Sequence, residues 1–510
     1  MASISPATLR DWIADGAELA VLDAREEGEF GSGHLFWAVP CPLSRARLRL
    51  PALLPRITVR VVCVDDGRGL AERLAAAIVA AGGTDVHGLA GGIAGWEAAG
   101  HVLFTGVNVP SKAFGEWVEH QYGTESVDAA ELAAWQAEGR DLIVLDSRPM
   151  DEFHRMSIPG GVNVPGGELA YRVADLVPDA NTLIVVNCAG RTRSILGAES
   201  LRRAGVPNRV LALRNGTMGW SLAGLEVARG QTARYAEGTP QSAALARQRA
   251  SAFAEASGVG VIGPLDLTRF EDDPERTLYV LDVRGPAEYA AGHRPGSRSA
   301  PGGQLIQATD TWIGVRGARI ALVDDDGVRA RMAGAWLRQM GHRDVFVVEG
   351  GLGEAAPTPP AEPVGGIDAI PAGALVLDLA RSIEFRAGHI PGALWGVPTR
   401  LERLRDRLHA ASHVVIASPD GLLAQDAADE VGGMTQAPVS VLRGGTRAWV
   451  AAGGALEASR AEPADEACID FYLRPYDRNA GIEEAMHAYL SWEIDLVREI
   501  ERDGTVAFGA

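Results

Sequence analysis

Four times along the chain a short apolar run ends in an aspartate and is followed within three positions by an arginine. The four are Val21-Leu22-Asp23-Ala24-Arg25, Val144-Leu145-Asp146-Ser147-Arg148, Val280-Leu281-Asp282-Val283-Arg284 and Val376-Leu377-Asp378-Leu379-Ala380-Arg381. Runs that are short, β-branched and apolar on both sides predict buried strands of a parallel sheet. An acid–aromatic pair follows each one: Glu29-Phe30, Glu152-Phe153, Glu288-Tyr289 and Glu384-Phe385. Next comes a turn, Gly33-His34, Gly292-His293 or Gly388-His389. The second unit has Met156-Ser157 there, ahead of Ile158-Pro159-Gly160. A second apolar strand lies further on, at Val61-Val62-Cys63-Val64, Leu183 to Val186, Ile320 to Val323 and Val414 to Ala417, each leading into a helical stretch. A third short strand, such as Val345 to Val348, then runs into a glycine turn. That turn reads Gly91-Gly92-Ile93-Ala94-Gly95-Trp96, Asn215-Gly216-Thr217-Met218-Gly219-Trp220, Gly350-Gly351-Leu352 and Gly444-Gly445-Thr446-Arg447-Ala448-Trp449.

Strands that alternate with helices, through crossovers too long for hairpins, predict an α/β fold with a parallel sheet covered on both faces. A repeat of roughly 100 residues is a domain and not a solenoid module. The pattern therefore divides the chain into four α/β domains at 1–105, 124–230, 257–357 and 362–458. The joins differ from the domains. Pro110-Ser111-Lys112-Ala113-Phe114 in the join at 106–123 reads as a helix start, and 231–256 as a linking helix. Ala355 to Val364, rich in proline, reads as an extended linker. The tail 459–510 carries a helix near Gly481 to Arg502, with Ile482, Met486, Tyr489, Ile494, Val497 and Ile500 approximating one apolar stripe. Such a stripe is expected to pack on a domain or a partner subunit.

At 510 residues the chain is too long for one core, which agrees with the repeat count. Its net charge of −18 argues against nucleic acid and anionic membranes as general partners, while leaving room for a local anion site. No stretch approaches the ~18 apolar residues of a membrane span, and Met1-Ala2-Ser3-Ile4-Ser5-Pro6 has neither the basic start nor the apolar run of a signal peptide. Cys41, Cys63, Cys188 and Cys468 form neither a disulfide framework nor a spaced metal set, so a reducing cytoplasm and no cofactor are expected.

One stretch concentrates the chemistry. Asn187-Cys188-Ala189-Gly190-Arg191-Thr192-Arg193-Ser194 follows the strand Leu183 to Val186 and opens onto a helical stretch. Loop amides and a helix N-terminus favour negative charge, and Arg191 and Arg193 add two cations, so the Cys188 thiolate is expected to be available near neutral pH. Ala189, Gly190 and Thr192 complete the loop, with Gly190 expected to supply tight curvature. Asp146 and Arg148 read as a structural ion pair fixing the neighbouring turn. His34, His293 and His389 read as turn residues, and Trp96, Trp220 and Trp449 as packing residues.

The Leu-Asp-x-Arg, Glu-Phe and Gly-His-Ile-Pro-Gly elements, with a strand-end cysteine loop and a closing Gly-Gly-x-x-x-Trp, resemble the rhodanese (thiosulfate sulfurtransferase) domain. The resemblance covers nearly all of the chain apart from the joins and tail. It implies four tandem domains, each a five-stranded parallel sheet flanked by helices, and an active cysteine that carries sulfane sulfur as a persulfide. Only the second unit carries the active loop. The Cys188 position aligns with Asp65, Asp324 and Ser418, with Cys63 two residues from the first, so the other three units are expected to be inactive.

On this resemblance the partners are a small anionic sulfur donor such as thiosulfate and a thiol or cyanide acceptor. Cys188 is the nucleophile, and Arg191, Arg193 and the loop amides hold the donor. A homodimer is among the assemblies the tail allows. One alternative is a non-catalytic scaffold or persulfide relay, given how much of the chain catalysis does not need. Another is a cysteine-dependent phosphatase or arsenate reductase, whose loop is one residue longer and places arginine where this chain has Ser194.

Overall fold

The computed structural model describes residues 2–358 and 366–509. Each of the four repeats folds into its own parallel sheet. In the first three the strand order is first, fifth, fourth, second, third. In the second unit these strands are Ser126–Val127, Val210–Leu213, Leu183–Asn187, Leu142–Asp146 and Val162–Asn163. The two long central strands pair in register from Leu142 with Leu183 to Asp146 with Asn187. The chain leaves these strands toward opposite edges, so a crevice opens at their carboxyl ends. Cys188 follows directly on the fourth strand, at that crevice.

The fourth unit departs from the expected five strands. Among the described residues its sheet has four: Leu394–Trp395, Leu375–Asp378, Val414–Ala417 and Val439–Val441. At the edge where a fifth strand stands elsewhere, Ile367 makes only an isolated parallel bridge to Leu442. Its amide donates to Val441 O and its carbonyl accepts from Arg443 N; Pro371, which has no N–H to donate, lies four residues on. The predicted linker falls largely on residues 359–364, which lie outside the described residues.

Repeated local devices hold the units together. Asp23 with Arg25, Asp146 with Arg148 and Asp282 with Arg284 are buried bidentate pairs. Each arginine also donates to a carbonyl of the following turn, at Gly33, Met156 and Gly292. The fourth unit breaks this pattern. Ala380 occupies the arginine's place and Asp378 is left without a cation, so burial pushes its carboxyl up to about 6. The turn histidines stack on the aromatic before them, His34 on Phe30 and His389 on Phe385, with ring centroids 3.8 and 3.7 Å apart. Trp96, Trp220 and Trp449 each donate Nε1 to a carbonyl six residues on.

The joins at 106–123 and 231–256 are part of the core and not spacers. Helix Val109–Tyr122 is buried along Val109, Lys112, Phe114, Glu116 and Val118 and crosses the helix Thr192–Arg203 that follows the cysteine loop. The crossing is close enough that a Cβ on Gly115 would lie 2.8 Å from Thr192 Cγ2. The C-terminal helix Ile482–Asp503 packs on Val109–Tyr122 through Leu496 and Ile500 and on the cysteine loop through Met486 and Leu490. The predicted stripe is therefore rotated. Ile482 and Ile494 are exposed, and Glu493 is inside, held there by Lys112. No helix among the described residues is long and apolar enough to cross a membrane.

Candidate active site

The strand Leu183–Asn187 delivers the loop, and side chains at its base fix the loop's course. Asn187 Nδ2 donates to Asp146 Oδ2 at 2.7 Å, so the Asp146–Arg148 pair also anchors the residue before Cys188. The Cys188 carbonyl accepts from the amide and hydroxyl of Thr217, at 2.8 and 3.0 Å, and the Ala189 carbonyl from Met218 N at 2.9 Å. This seat demands a glycine beside it: Gly216 has φ +52°, and a Cβ there would lie 2.4 Å from Cys188 O. The helix Thr192–Arg203 then begins with Arg191 as its cap residue. Among the described residues the amides of Ala189, Gly190 and Arg191 donate to no acceptor, which leaves them for an anion at the loop.

Arg191 and Arg193 do not stand as free cations. Arg191 Nε and Nη2 donate to both carboxylate oxygens of Glu116 at 2.8 Å, Nη2 also reaches Glu119, and Nη1 reaches Asn215 Oδ1. Arg193 grips Glu152 in the same bidentate way, both bonds 2.8 Å. Burial pushes the Glu116 carboxyl up to about 7, against the pull of Arg191 and with help from Glu493 and Glu119. Burial acts on Glu152 too, but Arg193, Arg474 and Arg148 outweigh it and hold its carboxyl down at about 2. Gly190 is not in the left-handed region. Its lack of a side chain matters because a Cβ would lie 3.0 Å from Glu493 Oε2 and 3.5 Å from Tyr489. Thr192 Oγ1 donates to Glu493 Oε1 at 3.3 Å.

Cys188 is 2% exposed and lines a narrow cavity with about 30 Å³ of open room. Sequence reasoning missed most of the opposite wall, because it comes from the joins and the tail. Lys112 arrives on the join helix; Tyr472, Arg474 and Tyr476 arrive on the strap before the C-terminal helix; Tyr489 and Glu493 arrive on that helix. Lys112 Nζ is tied to Glu493 Oε1 at 2.6 Å and stands 4.9 Å from the Tyr489 ring centroid. The Arg474 side chain makes no hydrogen bond or ion pair among the described residues, although the charges of Glu152 and Arg193 reach it. Motif spacing gives no sign of these residues. The one sequence signal is a basic residue between tyrosines, Tyr472-Leu473-Arg474-Pro475-Tyr476, in an otherwise acidic tail.

Comparison with known proteins fixes the family. A family model described as a rhodanese-like domain matches residues 5–99, 128–223 and 266–355, together more than half of the chain. The chain belongs to the rhodanese-like family. A crystal structure of a thiosulfate sulfurtransferase from Pseudomonas aeruginosa is 44% identical, covers 100% of this chain and 99% of its own, and superposes with a TM-score of 0.92. This full-length likeness supports an enzyme of the rhodanese type. An HTH-type transcriptional regulator from Mycobacterium tuberculosis is 35% identical over 107 residues, 21% of this chain and 46% of its own length. A tRNA uridine(34) hydroxylase from Erwinia tasmaniensis is 31% identical over 107 residues, 20% of this chain and 30% of its own length. The chain thus spans less than half the length of these two curated relatives.

The other three units hold something different in the same slot. In the first, Asp65 Oδ1 accepts from Gly67 N, and Oδ2 accepts from Leu70 N and Ala71 N, at 2.7–3.2 Å. In the third, Asp324 accepts from Gly327 N and from Ala330 N. In the fourth, Ser418 Oγ accepts from Ala424 N. The offset of six residues is common to these three, and the carbonyls of Cys188, Asp65 and Ser418 each accept from an amide of the closing glycine turn, of Thr217, Ile93 and Thr446. Cys63 is excluded from the slot: it lies inside a strand, paired with Leu22. The third unit also repeats the Arg193–Glu152 pair as Arg329–Glu288, at 2.8 and 3.0 Å. An ion pair present in a loop without cysteine has a structural use, and Arg193 shares it.

Proposed function

We propose that the chain moves sulfane sulfur from an anionic donor of the thiosulfate class to a thiophilic acceptor through a Cys188 persulfide. The observation that carries this reading is the set of open amides beside Cys188, those of Ala189, Gly190 and Arg191, of which Gly190 N stands where Gly67 N meets the Asp65 carboxylate in the first unit. A loop that binds a carboxylate in one unit can hold a thiolate or persulfide anion in another. In the first step the Cys188 thiolate attacks the outer sulfur of thiosulfate. The new S–S bond forms, the donor's own S–S bond breaks, and its electron pair leaves with sulfite. In the second step the acceptor takes the outer sulfur and Cys188 returns to the thiolate.

Loop residues Ala189, Gly190 and Thr192 frame the sulfur. Arg191 and Arg193 hold the loop's shape through Glu116 and Glu152, and Arg474 is the cation free to meet the donor's oxyanion. Catalysis is assigned to the unit at 124–230, and support to those at 1–105, 257–357 and 362–458. Cys188 lies beneath the C-terminal helix, which favours small-molecule exchange over docking of a protein donor. The four cysteines are free, in keeping with a reducing compartment such as the cytoplasm. Purified protein is expected to form thiocyanate from thiosulfate and cyanide, and Cys188→Ser to lose that activity. Equal turnover in the serine variant overturns the assignment.

A further inference from the structure

The fourth unit keeps the acids of the repeat without the cations that answer them in its sisters. In the first three units the strand-end aspartate holds a guanidinium, which also donates to a carbonyl eight residues on, at Gly33, Met156 and Gly292. The glutamate of the acid–aromatic pair holds another: Glu29 pairs with Arg68 and Arg400, Glu152 with Arg193, and Glu288 with Arg329. In the fourth unit Ala380 stands where the second unit has Arg148, and Leu423 where it has Arg193. Arg381, one residue along, turns away toward Glu27 and the ring of Phe471. Asp378 is 1% exposed; its Oδ1 accepts from Ala380 N at 2.9 Å, and its Oδ2 has no hydrogen-bond partner among the described residues. Glu384 accepts only from the Arg381 amide among the described residues. His389 faces Asp378, but its ring nitrogens are taken by Phe385 O and Glu457.

A cavity with about 350 Å³ of open room lies at this place, enough for a ligand of amino-acid size. Ala380 and Gly388, whose counterparts hold the guanidinium between them in the sister units, both line it, with Glu384 beside them. Pro419, Val450 and Leu456 form an apolar flank. Arg447 lines the cavity too and makes no ion pair among the described residues. The acids call for a planar cation that can bond a carboxylate through two N–H groups, which a guanidinium does and an ammonium does not. The apolar flank suits a short methylene stem, and Arg447 suits a carboxylate at its far end. We infer that the fourth unit binds a small guanidino acid, an amino acid of the arginine type, with its guanidinium between Asp378 and the Gly388 carbonyl and its carboxylate on Arg447. The ligand rebuilds from outside the bidentate pair that the other units make from their own side chains. The site lies on a different unit from Cys188 and stands independently of the persulfide reading.

Full-length protein is titrated calorimetrically with L-arginine, with L-citrulline, whose ureido group is the neutral match of a guanidinium, and with agmatine, which lacks the carboxylate. L-Arginine is expected to bind at a single site, about tenfold or more tighter than either analogue. Ala380→Arg supplies the chain's own guanidinium, as in the sister units, and is expected to abolish binding and raise the unfolding midpoint. Asp378→Asn is expected to weaken L-arginine about tenfold or more, and Arg447→Gln to erase its advantage over agmatine. Far-ultraviolet dichroism checks that each variant is folded. No binding of L-arginine by the wild type, affinity matched by either analogue, or binding unchanged in Ala380→Arg or Asp378→Asn overturns the inference.

Discussion

The loop at Cys188 and the loop at Asp65 have the same course and opposite electrostatics. Both follow a central strand, and both carbonyls at this position are pinned by an amide of the closing glycine turn, from Thr217 and Ile93. At Asp65 the protein supplies its own anion, and the carboxylate takes up three backbone N–H groups. At Cys188 the amides of Ala189, Gly190 and Arg191 wait. At Asp65 the carboxylate holds the amides two, five and six residues on; at Cys188 the amide two residues on, Gly190 N, is among those left open, while the one six residues on, Ser194 N, donates to Arg191 O. Chemistry arises where that backbone is left unsatisfied and a nucleophile replaces the carboxylate.

The most severe way to break the contrast is to make the active loop like its silent sisters. Cys188→Asp is expected to abolish thiocyanate formation while leaving the unfolding midpoint unchanged or higher, because the new carboxylate answers the open amides. Residual turnover, read in the thiosulfate and cyanide assay, would break the comparison. Arg191→Ala should cost about 3 kcal/mol or more in denaturant unfolding, since it strands the buried Glu116. If instead stability holds and only the KM for thiosulfate rises, Arg191 is a donor-binding residue.

Acid titration separates the second unit from the third. Glu152 has its carboxyl held down at about 2, so its contribution is complete above the ordinary value near 4.5 and is lost as pH falls toward 2. That contribution is about 3 kcal/mol, and the stability gap between wild type and Glu152→Gln should close over that window. Asp324, pushed up by burial and by Asp326 beside it, runs the other way: its cost is absent in acid and grows as pH rises above the usual aspartate range. Asp65→Ala removes three amide partners from the first unit and should lower stability by about 1–3 kcal/mol with little change in turnover. The smallest effect is expected from Arg474→Ala, about a tenfold rise in KM for thiosulfate in steady-state kinetics with the fold intact.

Much of the fold was legible because its signals are local. Each aspartate–arginine pair, stacked histidine and strand-end loop lies within a few residues of its partner, so the repeat could be read four times from the chain alone. Cys188, Asp146 and Arg148 were legible for the same reason. The charges around Cys188 were not. Glu116 and Glu119, which neutralise Arg191, come from a join that carries no motif, and Glu152 was read only as part of the repeat signature. Arg474 and Glu493 reach the cavity from the tail, whose predicted stripe was drawn from apolar residues alone. A buried glutamate is invisible to that method, because what buries it is Lys112, 381 positions away. The fourth unit kept the aspartate of the motif with its arginine one residue later, at Arg381, and no hydrophobic signal marks the absence of a fifth strand among the described residues.

The hydrogen bond from Thr192 to Glu493 spans 301 positions, and it has a kinetic consequence. Contacts that close such long loops form late, after the nearby strands and helices have already found each other. On dilution from denaturant the sheets can recover from local pieces, whereas the cavity is complete only when the last helix docks. Far-ultraviolet dichroism should therefore return before turnover does, and the lag between the two would time the seating of that helix.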